Sequence, residues 1–344
     1  MKLASPFRSA NLATSVTVGL FILMFGVGSI SFPGFFSLQN LLNLFIDNAY
    51  LLILGVGMTF VIISGGIDLS VGSVLALSTM VASGLLAGGM DPFLTIAITL
   101  AMGTALGFFM GFFIQVFDLP PFIITLAGLY LARGLCYVVS INTIPINDPF
   151  FNDMASIGIP ITEDSFISVG GLVAILVFLV GLFVLRRTRF GRAVYAIGGN
   201  EQSAILMGLP VTRAKISVYA ISGFCAALAG IVFTFYTLSG YALNGKGMEL
   251  DAIAAVVIGG TLLTGGKGSM IGTLFGVLVY GSIQLVIMFQ GTLNSWWTRI
   301  VIGFLVFAFC VLQRAFEVGK EGAGLRGFFG IKDFMARIAG KRGA

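Results

Sequence analysis

Residues 168–185 read SVGGLVAILVFLVGLFVL, without one charged side chain, and Arg186 and Arg187 follow at once. A helix that is apolar on every side has no face to offer water, so it belongs in a large core or in a bilayer. Crossing a bilayer takes about 20 such residues. Ten segments meet or approach that requirement, at roughly 14–32, 46–64, 70–88, 93–116, 121–140, 168–185, 213–236, 250–264, 268–290 and 295–313. The segment at 250–264 is too short to cross alone, and the one at 70–88 begins inside a glycine cluster. The stretch SLQNLLNLFIDN, at 37–48, is expected as an interfacial helix on the outer side.

Composition agrees: 58% of residues are hydrophobic and 10% charged, against roughly 25% charged in soluble domains. The expectation is an all-α polytopic membrane protein of about ten transmembrane helices with interrupted segments. Residues 1–315 form one transmembrane domain, with a cytoplasmic loop at 186–212, and residues 316–344 form a basic cytoplasmic tail. The run from Thr14 to Phe32 exceeds a signal-peptide core and is expected to stay as the first span. With both termini inside, every Lys and Arg except Lys246, Arg133 and Arg299 falls on the cytoplasmic side, as the positive-inside rule requires. The pI near 9.2 then reflects basic rims beside anionic lipid, so nucleic acid is not an expected partner.

Chemistry is sparse. There is no histidine, the commonest general base and metal ligand. Cys136, Cys225 and Cys310 lie in apolar segments without ligand spacing. No catalytic or metal-binding residue is assigned, and a membrane enzyme is disfavoured. The sequence GGTLLTGGKGS lacks Walker spacing because Gly268 follows Lys267, so ATP and its Mg²⁺ are expected on another chain.

Four features carry the functional reading. In FVIISGGIDLSVGSVLAL, residues 60–77, glycines and an aspartate interrupt an apolar run. A second cluster echoes it: Gly65, Gly66, Leu69, Ser70 and Gly72 align with Gly259, Gly260, Leu263, Thr264 and Gly266. Gly65, Gly66, Gly72, Gly259, Gly260, Gly265 and Gly266 are expected to break the helices, as glycine pairs do at corresponding places of the two halves of transporters. Asp68 and Ser70 are expected to cap the helix that follows. In the loop, Asn200 reads as an N-cap, Glu201 suits a helix start, and Gly208 with Pro210 ends the helix. This two-turn helix is either part of a surface loop with snorkelling arginines or a peg presenting Ala204, Ile205, Leu206 and Met207 to a partner's groove. Arg133 lies within a span and needs a cavity or a carboxylate, for which Glu249 and Asp251 are available. Trp296, Trp297 and Arg299 read as an interfacial belt. An ion-coupled secondary transporter with Asp68 as its cation or proton site is the alternative from another class.

The stretches GMTFVIISGGIDLSVGSVLAL, PPFIITLAGLYLARG, TRFGRAVYAIGGNEQSAILMG and LDAIAAVVIGGTLLTGGKGSMIGTLFG resemble the permease subunits of bacterial ribose-type sugar ABC importers, in the branched-chain amino acid and ribose superfamily. TIPIND, SGYALNGKGMELDAIA and GTLNSWWTRI are most similar to galactofuranose-type permeases. The resemblance implies an ABC importer permease in the bacterial inner (plasma) membrane, moving a monosaccharide by alternating access. It implies three partners: a cytoplasmic dual-cassette ATPase, a periplasmic sugar-binding protein and a second permease subunit, itself or a paralogue. Residues 198–208, including Gly198, Asn200, Glu201, Ala204, Leu206, Met207 and Gly208, match the segment that contacts the ATPase. Asn48, Asp68, Thr125 and Arg133 are expected near the sugar's path.

Overall fold

The computed structural model describes residues 7–292 and 296–320; the tail beyond 320 lies outside the described residues. In chain order, α1 (Phe7–Ser31) is followed by α2 (Leu38–Asp47), α3 (Ala49–Ile63), α4 (Val71–Ala87), α5 (Pro92–Val116) and α6 (Pro121–Val139). The next connection holds β1 (Ile144–Pro145), α7 (Pro149–Ser156), β2 (Gly158–Thr162) and β3 (Ser165–Ser168). Then come α8 (Val169–Arg187), the short α9 (Arg189–Gly199) and α10 (Glu201–Leu206), α11 (Val211–Thr237), β4 (Ser239–Gly240), α12 (Met248–Ile258), α13 (Met270–Gln290) and α14 (Trp296–Lys320).

Each of the ten apolar segments carries one of these helices. Six are long and apolar enough to cross a membrane alone: α1, α5, α6, α8, α11 and α13. Of the other four, α3 and α12 are short for a visible reason. With 15 and 11 residues, α3 and α12 reach about 22 and 16 Å, against a hydrocarbon core of roughly 30 Å, and both stop at glycine clusters. The helix expected before α3 forms as α2 and runs directly into α3, the two meeting at Asn48 with a 58° bend. Asn48 leaves helical geometry at φ −113° and ψ 18°, and its side-chain amide donates to the Leu44 carbonyl, closing the last turn of α2.

The core forms around α3, which is buried at every position except Tyr50, and around α11, which packs on α3, α4 and α5. The approach of α5 to α11 is set by Gly103, Gly107 and Gly111, four residues apart on one face of α5. A Cβ at Gly107 would overlap the Tyr219 carbonyl, so the backbones touch as in small-residue membrane interfaces. The α3 and α13 helices are joined by a hydroxyl pair, Thr59 to Thr273 at 2.6 Å.

The end of the bundle away from Arg186–Arg192 carries more structure than a polar loop. There β2 and β3 form an antiparallel hairpin, β1 pairs antiparallel with β4, and Phe151 of α7 is buried against Phe235 at 5.2 Å between ring centroids. These elements bring residues 141–168 down onto the helix ends.

Candidate functional site

At the first break, α3 closes with Gly65 N–H donating to Ile62 O at 3.0 Å and Gly66 N–H to Val61 O at 3.0 Å. That closure puts Gly65 at φ +86°, where a side chain would be strained. The chain then turns into α4 through Asp68, which is fully buried. Its Oδ1 accepts the Ser70 N–H at 2.9 Å and the Ser70 hydroxyl at 2.6 Å, while Oδ2 accepts the Ser222 hydroxyl of α11 at 2.7 Å. The expected capping therefore takes another form. Neither side chain bonds the first turn of α4, because Ser70 at the N-cap position spends its hydroxyl on Asp68. The carboxylate instead folds the approach to α4 and pins it to α11.

Gly72 also departs from expectation, since it lies inside the first turn of α4. The lack of a side chain there admits the Gly245 carbonyl and the Glu249 carboxylate, so its role is close packing rather than a break.

At the second break, α12 closes in the same way: Gly260 N–H donates to Val257 O at 2.9 Å and Thr261 N–H to Val256 O at 3.2 Å. The C-cap is Gly259, and the residue at positive φ is Gly260, at +90°. The structural echo therefore pairs Gly65 with Gly260, one residue away from the alignment made on sequence. Gly265 and Gly266 follow at φ +82° and +71°, and Ser269 starts α13.

The two breaks meet, and the loop helices meet them. Gly266 N–H donates to the carbonyl of Ile63, the last residue of α3, at 2.8 Å. Gly198, near the end of α9, lies so close that a Cβ would overlap the same carbonyl and stand 2.5 Å from Gly266 N. A Cβ on Gly265 would be 2.8 Å from Gly65 Cα, and one on Gly266 2.7 Å from Gly199 Cα. The Tyr195 hydroxyl of α9 adds a bond to Gly268 O at 2.9 Å. Burial pushes its phenol above the ordinary value, so the hydroxyl stays protonated and able to donate at neutral pH. Bare backbone from three segments thus forms one interlocked junction.

The loop that carries Gly198 holds two helices where one was expected. α9 buries Ala193, Val194 and Ile197, and Thr188 caps it by accepting from Gly191 N–H at 3.1 Å. α10 begins at Asn200, which accepts from Ser203 N–H at 2.7 Å, and ends before Gly208 at φ +73°. Glu201 forms a two-oxygen ion pair with Lys215 of α11, at 2.6 Å to each oxygen. Ala204 is fully buried against Ala193, Ile197, Val211 and Ala214, so it anchors the helix instead of being offered to a partner. The side chains that point away are Ile205, Leu206 and Met207, at 56%, 88% and 66% exposure.

The residues expected near a path do not converge. Asn48 is occupied at the α2–α3 bend. The Thr125 hydroxyl reaches Pro121 O at 2.9 Å and Ile67 O at 3.3 Å, bracing the first break. Arg133 donates to the carbonyls of Ala242 and Asn244, at 2.5 and 2.9 Å, and not to Glu249 or Asp251. Carbonyls at the end of an irregular segment satisfy a guanidinium without burying a second charge. A cavity of about 140 Å³ lies at the interlocked junction, lined by Gly65, Gly66, Gly198, Glu201, Lys215 and Tyr219. A larger one, about 510 Å³, lies between α12, α13 and α14, with Asp251, Tyr280, Gln284 and Arg299 on its wall. Tyr280 and Gln284 sit in an ordinary apolar run, and nothing local marks them. Among the described residues no group of three or more His, Cys, Asp or Glu is placed to hold a metal ion.

Residues 40–310 match the family model described as the permease component of branched-chain amino acid transport systems. The chain is 50% identical to the inner membrane ABC transporter permease protein YjfF of Escherichia coli K12, over 90% of this chain and 93% of that protein. It is 42% identical to the fructose import permease FruG of Bifidobacterium longum, over 88% and 90%, and 41% identical to the ribose import permease RbsC of Bacillus subtilis, over 86% and 91%. No solved structure matches the chain.

Proposed function

The chain belongs to the family of permease components of branched-chain amino acid transport systems, whose members are transport subunits and not enzymes, and from that premise we propose that it is the membrane subunit of an ATP-driven monosaccharide importer. The relatives named as fructose and ribose import permeases support a sugar as the cargo, and a ribose- or galactofuranose-like sugar is the specific candidate. The observation that carries an external motor is the junction of α9 with both helix breaks. A protruding α10 with Ile205, Leu206 and Met207 uncovered would be a defect in a carrier that works alone, whereas it suits a partner's groove.

In this reading the end bearing Arg186–Arg192 faces the cytoplasm of a bacterium, with both termini on that side of the inner membrane. A dual-cassette ATPase, which binds ATP and Mg²⁺, receives α10. A sugar-loaded periplasmic binding protein docks on the opposite end, where β1–β4 lie, and a second permease subunit completes the path. Movement of the cassettes shifts α10, which is tied to α11 by Glu201–Lys215 and continuous with α9. Gly198 transmits the shift to Ile63 and Gly266, so the ends of α3 and α12 move together and access alternates between the two sides. Asp68, the residue on which an ion-coupled carrier would rely, already has both oxygens engaged by Ser70 and Ser222.

Replacing Leu206 and Met207 by Asp tests the docking step. The variant should reach the membrane at the normal level and lose the ATPase on co-purification; recovery at the normal ratio would refute α10 as the docking element.

A further inference from the structure

The larger cavity lies at the end of the bundle opposite α10, where α12 begins, α13 ends and α14 begins. At about 510 Å³ it falls within the roughly 300–1,000 Å³ of small-molecule sites. Its wall has two characters. Ile287 and Met288 supply an apolar side. Beside it stand a carboxylate, a phenol, a carboxamide and a guanidinium, from Asp251, Tyr280, Gln284 and Arg299, with Tyr280 and Gln284 on the same stripe of α13 as Ile287 and Met288.

Three of those polar groups have partners within the protein. Tyr280 lies close enough to Asp251 to interact with it, and Arg299 stacks over the Trp296 ring at 5.2 Å from its centroid while lying against Gly247 at the start of α12. These contacts alone are accounted for by the need to hold three helices together. Gln284 is not. It is half-buried, sits one turn from Tyr280 on α13, and its amide makes no hydrogen bond among the described residues. An amide with two donors and an acceptor on the wall of a cavity, next to Ile287 and Met288 on the same face of α13, is unexplained by packing.

We propose that this cavity is a transient binding site for a neutral monosaccharide on its way through the permease, with Gln284, Asp251 and Tyr280 meeting ring hydroxyls and Ile287 and Met288 meeting the C–H face of the ring. A sugar ring is amphipathic in the same sense as the wall, hydroxyls outward around the rim and C–H groups on the faces. The opposed charges of Asp251 and Arg299 leave the cavity without a dominant sign, which suits a neutral ligand over an anionic or cationic one. Loose contacts are appropriate, because a passage site must release what it binds. The proposal rests on the importer reading above and adds the place where the sugar is held.

The test uses the complete transporter, permeases with ATPase and binding protein, in proteoliposomes with ATP inside or outside as orientation requires. Uptake of radiolabelled D-ribose, D-fructose and D-galactose is measured beside the ATP hydrolysis that the loaded binding protein stimulates. Gln284→Trp, which fills the cavity, should lower uptake at least tenfold while stimulated hydrolysis stays within twofold, because docking and the motor are untouched. Gln284→Leu, which removes only the amide and breaks no bond within the protein, should lower uptake about threefold. Wild-type uptake in Gln284→Leu overturns the proposal, and it decides the matter even where the tryptophan variant fails to assemble. If the wild-type transporter moves none of the three sugars, the importer reading fails together with the cavity's ligand; if it moves one and the variants match it, the cavity alone is refuted.

Discussion

Gly198→Ala isolates the junction between the loop helices and the breaks. The added methyl would overlap the Ile63 carbonyl and stand 2.5 Å from Gly266 N, both backbone atoms that no rotamer change can move aside. Overpacking of this kind costs about 1–3 kcal/mol. If the methyl instead pries those two atoms apart, loss or weakening of the buried Gly266 N–H to Ile63 O bond adds about 1–3 kcal/mol more. A combined cost of about 2–6 kcal/mol should appear as a lower unfolding midpoint of the purified permease. The functional consequence is sharper. With α10 and its exposed side chains unchanged, the ATPase should still bind, but hydrolysis should no longer drive uptake. Gly199→Ala is the internal control: nothing lies within 4 Å of its Cβ position, so that variant should match wild type in stability and in uptake. If Gly198→Ala also keeps its midpoint and its uptake, the junction does not transmit the motor's movement.

Asp68 separates a structural carboxylate from an ion site. Asp68→Asn should be mild, because an amide oxygen can still accept from Ser70 while its NH₂ donates to the Ser222 hydroxyl; Asp68→Leu leaves the Ser70 N–H and the Ser222 hydroxyl unpaired, at about 1–3 kcal/mol each, and should lower stability and uptake together. Normal folding with abolished uptake in the Asn variant would contradict that account. Gly107→Val should force α5 away from α11 at the Tyr219 carbonyl and reduce the yield of folded permease, with unfolding under milder denaturation than wild type; an unchanged profile would show that the α5–α11 approach is not tight.

The parts that were legible from sequence are those determined locally. A run such as 168–185 can only be a buried or lipid-facing helix, and caps such as Asn200 and Gly208 act within one turn of themselves. Paired glycines at 65–66 and 259–260 announced breaks because glycine takes the positive φ that closes a helix, whereas Gly72 serves close packing inside α4. What escaped depends on contacts between distant segments. The α9 helix buries Gly191, Ala193, Val194 and Ile197, and arginines surround them, so its apolar face reads as part of a basic loop. The echo was misaligned by one residue because GG matches GG on sequence, whereas the closing hydrogen bonds place positive φ at Gly65 and Gly260. Arg133 found the carbonyls of residues 242 and 244 where sequence reasoning looked for an acid, since a carbonyl leaves no mark in sequence. Gln284 was invisible for the opposite reason: it has no hydrogen-bond partner among the described residues, and only the cavity beside it gives it meaning.

The central claim is that this chain moves its cargo only when an external ATPase works on α10. Reconstitution in proteoliposomes measures it directly, comparing labelled sugar uptake by the permease with ATPase, binding protein and ATP against uptake by this chain alone under a proton or sodium gradient. The account predicts uptake in the first case that ceases when ATP is replaced by a non-hydrolysable analogue, and none in the second. Gradient-driven uptake by this chain alone would contradict it.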